Sequence, residues 1–417
     1  MANSNTLDAV IKEAVFTTDN SIKIEAYRHI RETARDLGIY PASIQGLYEA
    51  AGKGKCQGIT VPAINIRMMT YDVAQAVFRA AMRNKVGAFS FEIARSEIGY
   101  TKQSPAEYSS CVMAAAIKTR FKGPVFIQGD HYQVKQSAYQ KNPEVEMNDI
   151  KKLVKESIEA GFYNIDIDAS TMVDISQEDL VEQQVKNSQI TAEMTRFIRD
   201  IEPKGITVSV GGEIGEIGKG NSTVEDLRAF MDGYFKQLPK GMKGISKISV
   251  QTGTTHGGVA LPDGSIAKVK IAFDTLKELS KTAREEYGMG GAVQHGASTL
   301  PDEAFDMFPK VGTIEVHLAT GFQNIVYDSL HFPKELLERI YQYVDTNLSN
   351  EKKDNDTKEQ FYYNTRKKAL GEFKKELWSL PESNLLPIMD ELEDRFSLIF
   401  HKLNVTNTIK LIKKYID

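Results

Sequence analysis

Only two cysteines occur in the 417 residues, Cys56 and Cys111. Two cannot build a disulfide framework, and neither stands at a metal-ligand spacing, so a reducing compartment is expected. No apolar run approaches the roughly 20 residues needed to cross a bilayer. Residues 1–17 carry acidic side chains and lack the apolar stretch of a signal peptide. Charge of one sign is scarce too: 52 Lys and Arg against 56 Asp and Glu leave a net charge of −4. Such a balance calls for neither nucleic acid nor a membrane surface as partner. With 41% hydrophobic and 26% charged residues, the composition is that of a globular protein, expected in the cytoplasm.

What the chain does have is alternation. Residues 1–57 form a helical extension, with Leu7, Val10, Ile11 and Ala14 on one face and a second helix over 22–37; Pro41, Gly52 and Gly54 punctuate its end. From 58 to 332, strand-like and helix-like periods follow each other in eight units. The strands fall at 59–66, 86–93, 124–128, 164–168, 206–210, a run ending near His256, a run ending at His295, and 312–318. Eight βα units in this length predict a (β/α)8 TIM barrel, with an open doubly wound sheet as the rival. Residues 333–417 turn Lys/Glu-rich and amphipathic, broken by a polar loop at 347–357. This helical C-terminal extension is expected to pack on the barrel or to form a subunit interface.

Polar residues gather where strands end. Asp130-His131, Asp168, Glu213, His256 and His295 all sit at predicted C-terminal strand ends, the face on which barrel active sites are built. A lone histidine there is more often a satisfied polar group than a ligand. Three in one layer, His131, His256 and His295, favour an open metal site, because three imidazoles leave a position for substrate. Asp130 either caps its loop or moves a proton. Strand alternation turns Asp166 and Asp168 inward together, where they need partners or a cation. Glycines beside the histidines, Gly253, Gly257-Gly258 and Gly296-Ala297-Ser298, can bring backbone N–H groups to a phosphate.

Taken together, 58–67 (GITVPAINIR), Gly129-Asp130-His131, Asp166-Ile-Asp168-Ala-Ser170, Glu213-Ile-Gly215, Gly253-Thr-Thr-His256-Gly257 and His295-Gly-Ala-Ser298-Thr-Leu-Pro301 resemble the class II fructose-bisphosphate/tagatose-bisphosphate aldolase family in order and spacing. The resemblance covers about 58–330. It implies a zinc-dependent barrel enzyme that cleaves or forms a ketose phosphate through an enediolate of dihydroxyacetone phosphate. His131, His256 and His295 would hold Zn²⁺, with Glu213 and Asp168 matching carboxylates near the metal. Asp130 would handle the proton on the aldehyde-derived oxygen, and Asn65 would contact substrate. Gly257, Gly296 and Ser298, with the Gly253 loop, would bind phosphate, accompanied by a monovalent cation (Na⁺ or K⁺). A homo-oligomer is expected.

Two departures stand out. Where the family carries a long loop with a proton-abstracting glutamate, this chain has Glu213-Ile-Gly-Glu216-Ile-Gly-Lys-Gly, and Glu216 is the nearest candidate base. Where the family shows Asn-x-Asp on the eighth strand, this chain has Glu315-Val316-His317. The alternatives to an aldolase are a non-catalytic stabilising subunit of a tagatose-bisphosphate aldolase-like complex and an isomerase or epimerase using the same site.

Overall fold

The structure, a computed structural model, describes residues 4–215, 220–254, 258–263, 265–267 and 271–416. Nine strands form one parallel sheet: β1 Ile39–Ala42, β2 Val61–Asn65, β3 Ser90–Ala94, β4 Gly123–Gln133, β5 Asn164–Asp168, β6 Ser209–Glu213, β7 Lys247–Val250, β8 Ala292–Gln294 and β9 Glu315–Leu318. β2 to β9 pair in sequence order, and β9 returns to β2 with Val61 opposite Glu315 and Ala63 opposite His317. The sheet therefore closes into the eight-stranded barrel expected, not the open alternative. Closure matters chemically because it gathers the upper ends of all eight strands around one axis.

Around the barrel, helices such as Thr70–Arg83, Pro105–Thr119, Pro143–Glu159 and Leu180–Ile201 follow their strands. The turn into Val224–Gln237 is fixed by a capping box in which Thr223 and Asp226 exchange hydrogen bonds. Several expectations needed correction: the strands expected at 86–93 and 206–210 are Ser90–Ala94 and Ser209–Glu213. The sixth barrel strand, expected to run to near His256, ends at Val250, and its helix, expected from Ile266, is Phe273–Glu285. Glycine, threonine and proline in the intervening stretch support neither period. The N-terminal segment, expected to be helical, also contains a strand. β1 pairs with the first residues of β4, Ile39 to Gly123 through Ala42 to Phe126, where Pro41, lacking an N–H, sits without cost at a sheet edge.

The segments outside the barrel share its apolar core, which runs continuously from Leu7 to Ile412. Helix Ser4–Phe16 lies against Pro105–Thr119, with Asp8 bonded to Lys118 at 2.7 Å. Helix Glu382–Lys402 runs beside Thr70–Arg83, Phe396 on Phe322 and Glu393 between Arg79 and Arg83. Beneath the barrel, Thr408 Oγ1 accepts from Gly87 N at 3.0 Å and Ala88 N at 3.2 Å, and helix Ile409–Tyr415 tucks under Gly46 and Gly87. The polar stretch at 347–357 contains a single 3₁₀ turn, Ser349–Glu351. Among the described residues no helix is long and apolar enough to cross a membrane.

Candidate active site

β4 is irregular at its upper end, and that irregularity makes the site. Its pairing with β5 slips between Gly129 and Tyr132, and His131 adopts φ +39°. A bulge of this kind turns two successive side chains toward one face. Gly129 is required because the Tyr132 ring folds back over it: a Cβ there would lie 2.4 Å from the ring. Asp130 and His131 consequently both reach the barrel axis, one toward β9 and the other toward β5 and β6.

His131 Nδ1 lies 3.1 Å from Asp168 Oδ2 and 3.3 Å from Glu213 Oε2. Its ring is 4.1 Å from that of His295, which in turn is 4.0 Å from that of His317. Ser249 Oγ, 2.9 Å from His295 Nε2, fixes that ring. Asp168 also accepts from Gln133 Nε2 at 2.6 Å and from Ser170 N and Oγ at 3.0 and 2.7 Å. Burial opposes ionisation of Asp168, yet these bonds and His131 hold it below the ordinary carboxylate range. Glu213 is pushed up to about 7, first by burial and then by the neighbouring Asp168 charge. For His131 burial favours the neutral ring, but Asp130, Glu213 and Asp168 outweigh it and raise its pKa well above the usual value.

A second polar layer lies just below. Lys247, 1% exposed, donates to Gln128 Oε1 at 2.8 Å, to Asp166 Oδ2 at 2.9 Å and to Glu315 Oε1. Gly211 leaves room for this pair, since a Cβ would stand 2.3 Å from Asp166 Oδ1 and 3.0 Å from Lys247 Cε. Tyr48 also donates to Glu315. His317 Nε2 is 2.7 Å from Glu315 Oε1, while its Nδ1 is 2.9 Å from Glu92 Oε2 and 3.1 Å from Asp130 Oδ1. Burial raises Glu92 to about 8 and Asp166 to about 6, whereas Lys247 and His317 overcome burial at Glu315 and lower it. The inward turn of Asp166 and Asp168 and their need for partners are as expected: Lys247 answers one and His131 the other.

Six buried carboxylates, Glu92, Asp130, Asp166, Asp168, Glu213 and Glu315, thus face Lys247 and three imidazoles. Such a group needs protons or a cation to approach neutrality. Ligand atoms of His131, Glu213 and His295 come within 4.8 Å of one another, as do those of Asp130, His295 and His317. Two imidazoles and a carboxylate are a donor set suited to a divalent transition metal. Asp166, Glu315 and His317 cluster equally closely, but the Lys247 ammonium already fills that position.

Above these layers opens a cleft of about 240 Å³, lined by Asn65, Glu97, Asp130, His131, His295, Gly296, Ser298 and His317. Arg67, Arg95, Lys135 and Lys367 ring it. Arg67 is held at Glu97 (2.7 Å) and Arg95 at Glu146 (2.5 Å). Burial and the Arg67 charge lower the Lys367 pKa. Asn65 faces the cleft with Nδ2 bonded to Glu97 Oε2 at 2.7 Å. The Gly253 N–H is already engaged by Gln251 Oε1 at 3.0 Å. Glu216, His256 and Gly257 lie outside the described residues.

Several contributors were not singled out from sequence: Glu92, Lys247, Arg67, Arg95, Lys367, and the part played by Glu315 and His317. For Lys247 a signal existed, a lysine opening an otherwise apolar strand, Lys-Ile-Ser-Val. Lys367 carried none, because it reaches the cleft from outside the barrel.

A family model, fructose-bisphosphate aldolase class-II, matches residues 44–381. Comparison with curated proteins finds no match. Among solved structures, a fructose-bisphosphate aldolase from Campylobacter jejuni is 17% identical, covering 89% of this chain and 96% of its own, with a TM-score of 0.52. A Sinorhizobium meliloti protein described as a probable tagatose 6 phosphate kinase is 15% identical (85% and 99% covered, TM-score 0.56). The fructuronate-tagaturonate epimerase UxaE of Cohnella laeviribosi is 12% identical (83% and 81% covered, TM-score 0.59). At these identities the solved structures share the fold.

Proposed function

Since the chain belongs to the class II fructose-bisphosphate aldolase family, we propose that it is a metal-dependent aldolase acting on a phosphorylated ketose such as fructose 1,6-bisphosphate. One observation carries this reading: a single cleft has metal-donor side chains at its floor and four basic side chains around it. His131, Glu213 and His295 would hold the ion, most simply Zn²⁺, with His256 expected to join them and Asp168 orienting His131. When bound, such an ion supplies Lewis-acid polarisation of carbonyl and hydroxyl oxygens.

The chain's own groups do the rest. Arg67, Arg95, Lys135 and Lys367 attract and orient an anionic substrate, and Gly296 and Ser298 are positioned to contact a phosphate. Asp130 accepts the proton of the hydroxyl that becomes the aldehyde as the carbon–carbon bond breaks, and returns it in the synthetic direction. The electron pair left on carbon then takes a proton from a second acid, for which Glu216 is the proposed residue. The two buried free thiols fit a reducing compartment such as the cytoplasm, and a homo-oligomer is proposed.

The test is cleavage of fructose 1,6-bisphosphate by zinc-loaded and chelator-stripped protein, coupled to NADH oxidation, beside deuterium exchange into dihydroxyacetone phosphate followed by NMR. Zinc-dependent cleavage supports the proposal. Exchange without cleavage transfers the site to another aldehyde partner or to an isomerase or epimerase. Absence of both with zinc bound refutes it and favours the non-catalytic subunit.

A further inference from the structure

We propose that His317 is a positioning residue for Asp130, itself held in register by Lys247 through Glu315. The proposal rests on the proposed role of Asp130 as proton acceptor. Its ground is the last strand, where Glu315-Val316-His317 places a carboxylate and an imidazole two residues apart, on the same inward face.

The contacts form a continuous line along the barrel axis. Lys247 Nζ bonds Glu315 Oε1, and the same oxygen lies 2.7 Å from His317 Nε2. On the opposite edge of the ring, Nδ1 reaches Asp130 Oδ1 at 3.1 Å and Glu92 Oε2 at 2.9 Å. The ring therefore hydrogen-bonds Glu315 through Nε2 and pairs electrostatically with Glu92 and Asp130, from two other strands, through Nδ1. Flipping the ring would set carbon atoms against Glu315 and Asp130 where nitrogens now stand, giving up the Glu315 hydrogen bond and the Asp130 ion pair. Glu315 cannot follow such a flip, because Tyr48, Gln128 and Lys247 all donate to it. The imidazole is over-determined from below and offers one edge upward.

Asp130 needs such a holder. It stands in the bulge of β4, between Gly129 and the left-handed His131, where regular pairing with β5 is interrupted. A proton acceptor must lie within hydrogen-bond reach of the substrate hydroxyl, and a misplacement of about 1 Å costs on the order of 100-fold in rate. By pairing with Oδ1, His317 restrains where that carboxylate oxygen stands. Asp130, His295 and His317 also gather closely enough to bind a cation, so the test must separate positioning from ligation.

The experiment compares zinc-loaded His317→Asn, His317→Gln, His317→Ala and Asp130→Asn proteins, measuring kcat, KM and bound zinc by mass spectrometry. Asparagine presents its amide N–H near the place of Nδ1, glutamine near that of Nε2. His317→Ala is expected to lose about 100-fold in kcat with KM within about twofold and zinc content unchanged. His317→Asn should recover about tenfold of that loss and His317→Gln none. Equal activity of the Asn and Gln variants, unchanged kcat in all three, or loss of zinc would overturn the proposal, the last by making His317 a ligand. The Asn–Gln comparison decides the matter even if the Ala variant does not fold. Wild-type kcat in Asp130→Asn would instead remove the role of Asp130 itself, and that outcome is read independently of His317.

Discussion

Replacing Lys247 by methionine is the sharpest test of how this barrel tolerates a charged interior. Methionine fills similar volume but removes the ammonium that sits within 2.9 Å of both Gln128 and Asp166 and also bonds Glu315. Asp166, raised to about 6 chiefly by burial, is ionised at pH 7, and Glu315 is held low. The variant therefore buries two carboxylates without the ammonium, leaving His317, 2.7 Å from Glu315 and 3.7 Å from Asp166, as their remaining cationic neighbour, and breaking such a pair costs about 3–5 kcal/mol. A loss of about 4 kcal/mol is nearly a thousandfold in the folding equilibrium. The sign with pH follows from linkage. In the wild type the depressed Glu315 contributes stability that is present above its unfolded pKa and lost as pH falls through the folded one. In Lys247→Met the folded pKa values of both acids move upward, so the penalty of losing the ammonium falls on their ionised forms, is smallest below about pH 4 and grows upward. The gap between the two proteins should thus shrink from pH 7 to pH 4. Denaturant unfolding is followed by circular dichroism, which reads the whole chain, and by Trp378, packed between Phe16 and Tyr71, which reads the contact between the two extensions and the barrel. Adding Asp166→Asn and Glu315→Gln should restore most of the loss. A cost under about 1 kcal/mol at pH 7 would refute the reasoning, since it would mean that the acids can take up protons instead of requiring Lys247.

Two further predictions concern packing away from the cleft. Gly46→Ala places a methyl 2.1 Å from Tyr415 O; unfolding should show a loss of about 1–3 kcal/mol, and truncation before Ile409 should abolish that difference although it lowers stability itself. Cys56 and Cys111 are both buried, and burial raises both thiols, so an aromatic disulfide reagent should titrate neither in the folded protein and both after denaturation; rapid modification in the native state would contradict the packing.

The barrel was legible because its signal is local and repeated. Each strand-helix unit carries its own periodicity, and the residues that close strands, Asp130-His131, Asp168, Glu213 and His295, occupy strand ends that can be located without knowing their neighbours. The boundaries that moved furthest lie where periodicity is weak, after Val250 and around Pro41. β1 is a strand only because β4 offers it an unpaired edge. No four-residue segment containing proline declares that by itself.

The amino-acid sequence by itself determined the eight-unit barrel, the family, and the strand-end placement of Asp130-His131, Asp168, Glu213 and His295, since these follow from patterns a few residues long. The tertiary structure alone decided which of them meet. Asp166 and Lys247 are 81 residues apart, and Lys247 and Glu315 are 68 apart; the bulge that aims Asp130 at His317 depends on the Tyr132 ring lying over Gly129. Charge pairing in a closed barrel is a property of register and closure, which bring distant strands to one axis, and no local stretch of chain encodes the distance between them.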